Sequence, residues 1–177
     1  MTTAVLTTLA IASGQAQEPI RAGMVGRARV GKPAPEVVLR YFTAAGPGPA
    51  EQPFRLSAEL GRVLVVVFGP ADQADWWRSV AGVADSSWAG ATLIGVTRQG
   101  PSVVVGLAQT MPNDRIKLLA DSTGQAWRAF GVARRDRRAF VVADDGRIVA
   151  ELPGFDPAEP PAVTAVGRAI RSARPGG

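Results

Sequence analysis

The chain has 177 residues, 20 Lys+Arg against 15 Asp+Glu for a net charge of +5, and neither cysteine nor histidine. Without cysteine there is no disulfide, thiolate nucleophile, iron–sulfur cluster or thiol redox cycle; without histidine as well, Ser-His-Asp and Cys-His triads and nearly all zinc and copper sites are excluded. Hard metals held by carboxylates, and Asp/Glu, Lys, Arg, Ser or Tyr chemistry, remain open to a chain whose 46% hydrophobic and 20% charged residues suit one folded domain.

Residues 4–12 (AVLTTLAIA) form an apolar run, followed by Ser13-Gly14-Gln15-Ala16 with small residues where a signal peptidase reads them. The basic segment that usually precedes such a run is missing, since the first arginine is Arg21. An export signal at 1–16 is the expectation, which would place the protein outside the cytoplasm; a terminus packed on the domain, in a cytoplasmic protein, is the alternative. No apolar run approaches the ~20 residues that span a bilayer, so no integral membrane segment is expected. A Gly/Arg linker is expected at 17–30, one domain at 31–173 and a flexible tail at 174–177.

Within the domain, Val37-Val38-Leu39-Arg40-Tyr41-Phe42 reads as a strand and residues 44–53 (AAGPGPAEQP) as a polar turn. The wholly apolar run Val63-Leu64-Val65-Val66-Val67-Phe68 belongs to a central strand covered on both faces and ends at Gly69-Pro70. A helix is predicted from Asp72 as N-cap to about Ala84, with Asp75 in its first turn and Trp76, Val80 and Val83 on one face. Residues 91–97 form a second buried strand, 101–111 a helix, and Lys117-Leu118-Leu119 leads to Asp121 and a short helix over 122–132. Phe140 to Ala143 and Arg147 to Ala150 flank Asp144-Asp145-Gly146 as a β-hairpin. Pro160 and Pro161 open a last helix ending near Ser172. The predicted order is β-turn-β-α-β-α-α-β-β-α, an α/β domain with a central mixed sheet and helices on both faces.

That order and several local motifs resemble the peroxiredoxins of the alkyl hydroperoxide reductase/thiol-specific antioxidant family, a branch of the thioredoxin fold. Gly31-Lys32-Pro33-Ala34-Pro35-Glu36-Val37 resembles the family's opening G-x-x-A-P-x-F. Leu56-Ser57-Ala58-Glu59-Leu60-Gly61-Arg62 is similar to its L-S-x-x-x-G-K, and Phe68-Gly69-Pro70 to the aromatic and proline that end the central strand. Leu118-Leu119-Ala120-Asp121, Ala129-Phe130-Gly131-Val132, and Arg137 to Val142 with Asp144-Asp145-Gly146 resemble L-x-S-D, A-Y-G-V and R-x-x-F-x-I-D-x-x-G. The resemblance implies a thioredoxin-like fold with the family's N-terminal β extension.

At the active-site segment the resemblance fails. The family reads P-x-x-x-T-x-x-C: threonine orients peroxide, cysteine attacks it, and a distant arginine helps hold the thiolate. Counting from Pro70 places Ala74 at the threonine and Trp77 at the cysteine, while Arg137 falls at the arginine. Indole cannot replace a polarisable thiolate, so thiol peroxidase and disulfide exchange are excluded for this chain alone. The resemblance then implies an inactive binding or interaction module. Two alternatives remain: an enzyme using the vestigial cleft for non-thiol oxidoreductase chemistry, or a subunit of a redox complex whose partner supplies the thiol.

Four further residues, Asp72, Asp75, Trp76 and Arg138, are candidate ligand or partner contacts. Trp76 and Trp77 could stack on a ligand in the vestigial pocket, or one packs in the core and the other plugs the empty site. Arg137 could bind an anion near the helix N-terminus, unless Asp72 or Asp75 fills that place as an internal ion pair. Arg138 belongs to the run Arg134-Arg135-Asp136-Arg137-Arg138, which reads as a solvated loop, with no aromatic platform for nucleic acid. Trp88 and Trp127 read as core or subunit-contact residues, and Asp144 and Asp145 as turn residues. No cofactor and no metal site are expected; a protein partner and a homo-oligomer are left open, and nucleic acid is not expected.

Overall fold

The computed structural model describes residues 28–174. The export signal expected at 1–16, most of the linker and residues 175–177 lie outside the described residues.

The chain begins with four short strands, β1 (Val38–Leu39), β2 (Tyr41–Thr43), β3 (Gly46–Pro47) and β4 (Phe54–Arg55). The single strand expected over 37–42 is thus split at Arg40. β1 pairs with β4 in a two-stranded sheet, and β2 joins the main sheet. Val37 and Phe42 are both buried and pack into the cores on opposite faces of the main sheet, and the break at the exposed Arg40 lets β1 and β2 take different partners. The predicted polar turn holds β3, which pairs antiparallel with β2.

β5 (Leu64–Phe68) is buried at every residue. Leu64, Val66 and Phe68 pack on one face of the sheet, and Val65 and Val67 on the other. β6 (Thr92–Thr97) and β7 (Ile116–Ala120) run parallel to it, while on the other side β8 (Arg138–Val142) runs antiparallel to β5 and β9 (Ile148–Pro153) antiparallel to β8. The seven-stranded order is β3-β2-β7-β6-β5-β8-β9. β7 is absent from the predicted order. Its signal is broken by Lys117, whose ammonium leaves the sheet to meet Glu59 Oε1 at 2.5 Å and lies over the rings of Tyr41 and Phe54.

Helices α1 (Ala74–Ser87), α2 (Pro101–Gln109) and α4 (Pro160–Ser172) contribute to the core on the Val65/Val67 face, and α3 (Gln125–Ala129) to the opposite one. Gln73, not Asp72, is the N-cap of α1, and its side chain makes no capping bond. α3 is shorter than expected because Gly124, at φ +70°, turns the chain just before it. The buried Asp121 carboxylate caps α3, accepting the N–H groups of Gln125 at 2.8 Å and Trp127 at 3.1 Å.

Candidate functional site

The loop after β5 and the first turn of α1 bring together Pro70, Ala74, Trp76, Trp77 and Arg137. Phe68 lies opposite Arg138 in the sheet, so Pro70 and Arg137 emerge at the same end, and α1 starts between them. Pro70 and Ala74 are half-buried.

Trp77 is completely buried, at 0% exposure. Its Nε1–H donates to the Pro70 carbonyl at 2.8 Å, closing the loop onto the helix that follows. The indole rests on two glycines. A Cβ at Gly95 would lie 2.7 Å from Trp77 Cζ3, and one at Gly69 would lie 3.1 Å from Cζ2. Gly95 is therefore a site residue that sequence reasoning missed. The available signal is a lone glycine inside the apolar strand Thr92–Thr97, which marks a close approach of another group.

Trp76 stacks edge-on against Trp77 with ring centroids 4.9 Å apart and sits against Gly69. It also meets Phe155, which in turn contacts Trp88, so the aromatic packing reaches α4. Trp76 Nε1 is buried without a partner among the described residues. Trp88 and Trp127 are core residues, each 2% exposed.

Arg137 covers the outer face of this pair, its guanidinium 5.2 Å from the Trp76 ring centroid. It donates to Gln73 Oε1 and lies 3.4 Å from Asp156 Oδ2. The internal ion pair considered for Arg137 thus exists, but with Asp156 rather than Asp72 or Asp75. Asp75 projects from the first turn of α1 and pairs with Arg78, and Asp72 is exposed. Arg138 does not join the site: alternation along β8 sends it to the other face, to Glu151 at 2.6 Å and Asp136 at 3.1 Å.

The chemistry available at this site is limited. Trp77 offers no titratable group, Ala74 no hydroxyl, and two donor positions of the Arg137 guanidinium are already engaged. A cleft of about 140 Å³, lined by Pro33, Glu36, Leu56, Leu60 and Asp145 among others, lies at the opposite end of the sheet. Among the described residues no group of three or more His, Cys, Asp or Glu gathers as a metal-binding set, and no helix is long and apolar enough to cross a membrane.

No model of a known protein family matches the sequence. No curated protein matches it either. Solved structures do match the fold. The reduced 2-Cys peroxiredoxin of Plasmodium vivax superposes with a TM-score of 0.65 at 17% identity, over 81% of this chain and 94% of that one. Peroxidoxin BcpB from Mycobacterium tuberculosis gives 0.62 at 19% identity, over 84% and 100% of the two chains. MTB dsbF, in mixed oxidised and reduced forms, gives 0.57 at 19% identity, over 76% and 94%. The seven-stranded mixed sheet, its helical layers and the strands preceding β5 make this the thioredoxin-like fold of the peroxiredoxins, in a chain that has no cysteine.

Proposed function

We propose that the chain is a peroxiredoxin-like domain that has no thiol chemistry and serves as a binding or interaction module. The observation that carries this reading is Trp77: at the position aligned with the family's nucleophile stands a fully buried indole whose one polar group is bonded to Pro70. A peroxide would need a nucleophile that can be deprotonated and room to approach it, and the side chain at this position supplies neither. Arg137 supports the reading from outside, since Gln73, Asp156 and the face of Trp76 already engage its guanidinium.

The test is peroxide consumption by the purified chain with dithiothreitol and with a thioredoxin system as reductants. The expected rate equals the protein-free rate and is unchanged by Arg137→Gln. Turnover above that background, lost in Arg137→Gln while its fold is kept, would overturn the proposal.

A further inference from the structure

The run from Ser122 to Arg135 carries three arginines, Arg128, Arg134 and Arg135, and no acidic residue. All three are exposed, and a fourth exposed arginine joins them from the position just after β6. Arg98 lies flat against the backbone of Gly124, where a Cβ would come within 2.6 Å of its Nε. Arg128 holds the same turn from the other direction, donating to the Thr123 carbonyl at 2.8 Å. The sheet register places the loop that carries the remaining two at the same end of the sheet as Arg98. Phe68 stands opposite both Arg138 and Val96, so the entry to β8 and the exit from β6 lie at one end of the sheet. They are separated by the width of β5, about 10 Å between flanking strands.

The acids around this rim are directed elsewhere. Asp121 is 0% exposed and spent on capping α3, and Asp136 pairs with Arg138. None of the four arginines lies within ion-pair distance of a carboxylate among the described residues. Exposed guanidinium groups held on a turn and a short loop, with nothing intramolecular to neutralise them, form a surface preset for carboxylates, which the planar fork can bind two oxygens at a time.

We propose that Arg98, Arg128, Arg134 and Arg135 form a docking ridge for an acidic polypeptide segment. A nucleic acid fits less well, because the aromatic residues of this region, Trp127 and Phe130, are 2% and 1% exposed and offer no stacking platform. A membrane also fits less well, because the exposed large hydrophobic residues nearest the ridge, Val38 beside Gln125 and Val103 on α2, are single residues rather than an apolar face. The ridge gives the interaction-module reading its partner chemistry and rests on that reading.

The experiment is fluorescence anisotropy of a labelled oligoglutamate titrated with the full chain. It is run at low ionic strength and again at ~0.15 M salt, where screening shortens to about 8 Å. Oligolysine and oligothymidylate of matched length serve as competing probes. The expected result is saturable oligoglutamate binding weakened by salt. It should weaken further by about tenfold or more when the four arginines are changed to Gln, as expected on losing several charged contacts. Arg168→Gln with Arg171→Gln, exposed on α4, should change affinity less than about twofold. An equal loss from the α4 pair, tighter binding of oligothymidylate, or no preference for oligoglutamate over oligolysine would overturn the ridge. Failure of the peptide to bind a chain without peroxide turnover removes the ridge and leaves the dead site standing. Turnover in a chain that binds the peptide removes the dead site alone.

Discussion

Adding one methyl group at Gly95 tests whether the Trp77 indole fills its place to native density. The new Cβ of Gly95→Ala would lie 2.7 Å from Trp77 Cζ3, 3.0 Å from Cη2 and 2.6 Å from Leu118 Cδ2. Leu118 can swing its end carbon away, whereas the indole is anchored by its bond to Pro70 and backed by Trp76. Overpacking of this kind costs about 1–3 kcal/mol, and replacing a strand glycine returns about 0.5–1 kcal/mol of backbone entropy. The net expectation is a loss of about 1–2 kcal/mol. Urea denaturation measures it as a lower midpoint at unchanged slope, and thermal melting as a drop of about 2–4 °C per kcal/mol for a chain of this size. Trp77→Phe removes the larger ring, so in that background the Gly95→Ala penalty should fall by about half or more, a coupling of roughly 1 kcal/mol. A neutral or stabilising Gly95→Ala, or costs that simply add in the double variant, would refute the close packing of Trp77 on β6.

Two other substitutions probe the surroundings. Arg137→Gln removes a pair with Asp156 whose side chains are 31% and 33% exposed, together with the stacking on Trp76. The expected cost is only about 1 kcal/mol, with tryptophan emission moving to longer wavelength as water reaches Trp76; an unchanged spectrum would contradict the stacking. Asp121→Asn leaves one accepting oxygen where two serve the N–H groups of Gln125 and Trp127. It should cost about 1–3 kcal/mol and speed amide exchange at one of those two positions, and unchanged protection at both would show that the carboxylate is not the cap.

The central strand and the last helix were legible because their signals are local. A wholly apolar run such as Leu64–Phe68 has few alternatives to burial on both faces, and prolines at the start of Pro160–Ser172 mark a helix entry. Strand Ile116–Ala120 was hidden because Lys117 breaks the apolar pattern, and its tolerance depends on Glu59 and on the rings of Tyr41 and Phe54, all distant in sequence. The helix start shifted from Asp72 to Gln73 because the N-cap preference is only a bias, which here gives way to the path the chain takes out of Pro70. At the site, counting from Pro70 along the resemblance points to Trp77 as the counterpart of a nucleophile. That Gly69 and Gly95 make room for the indole, and that Asp156 rather than Asp75 answers Arg137, depends on contacts between elements far apart in the chain.

The bed of two glycines beneath Trp77 also bears on how the site could change. A tryptophan codon is one base from a cysteine codon, so mutation alone does not keep a thiol out of position 77. Packing opposes it: a thiol in the space of an indole would open a void beside Gly95 and leave the Pro70 carbonyl without its donor, while Trp76 still covers Gly69. Losses of about 3–5 kcal/mol are usual when a large aromatic is cut back in a core, a sizeable share of what holds a domain folded. A single step toward a thiol at this position therefore leads first through a less stable protein, and the space beside Gly95 would have to be refilled before a cysteine could be kept.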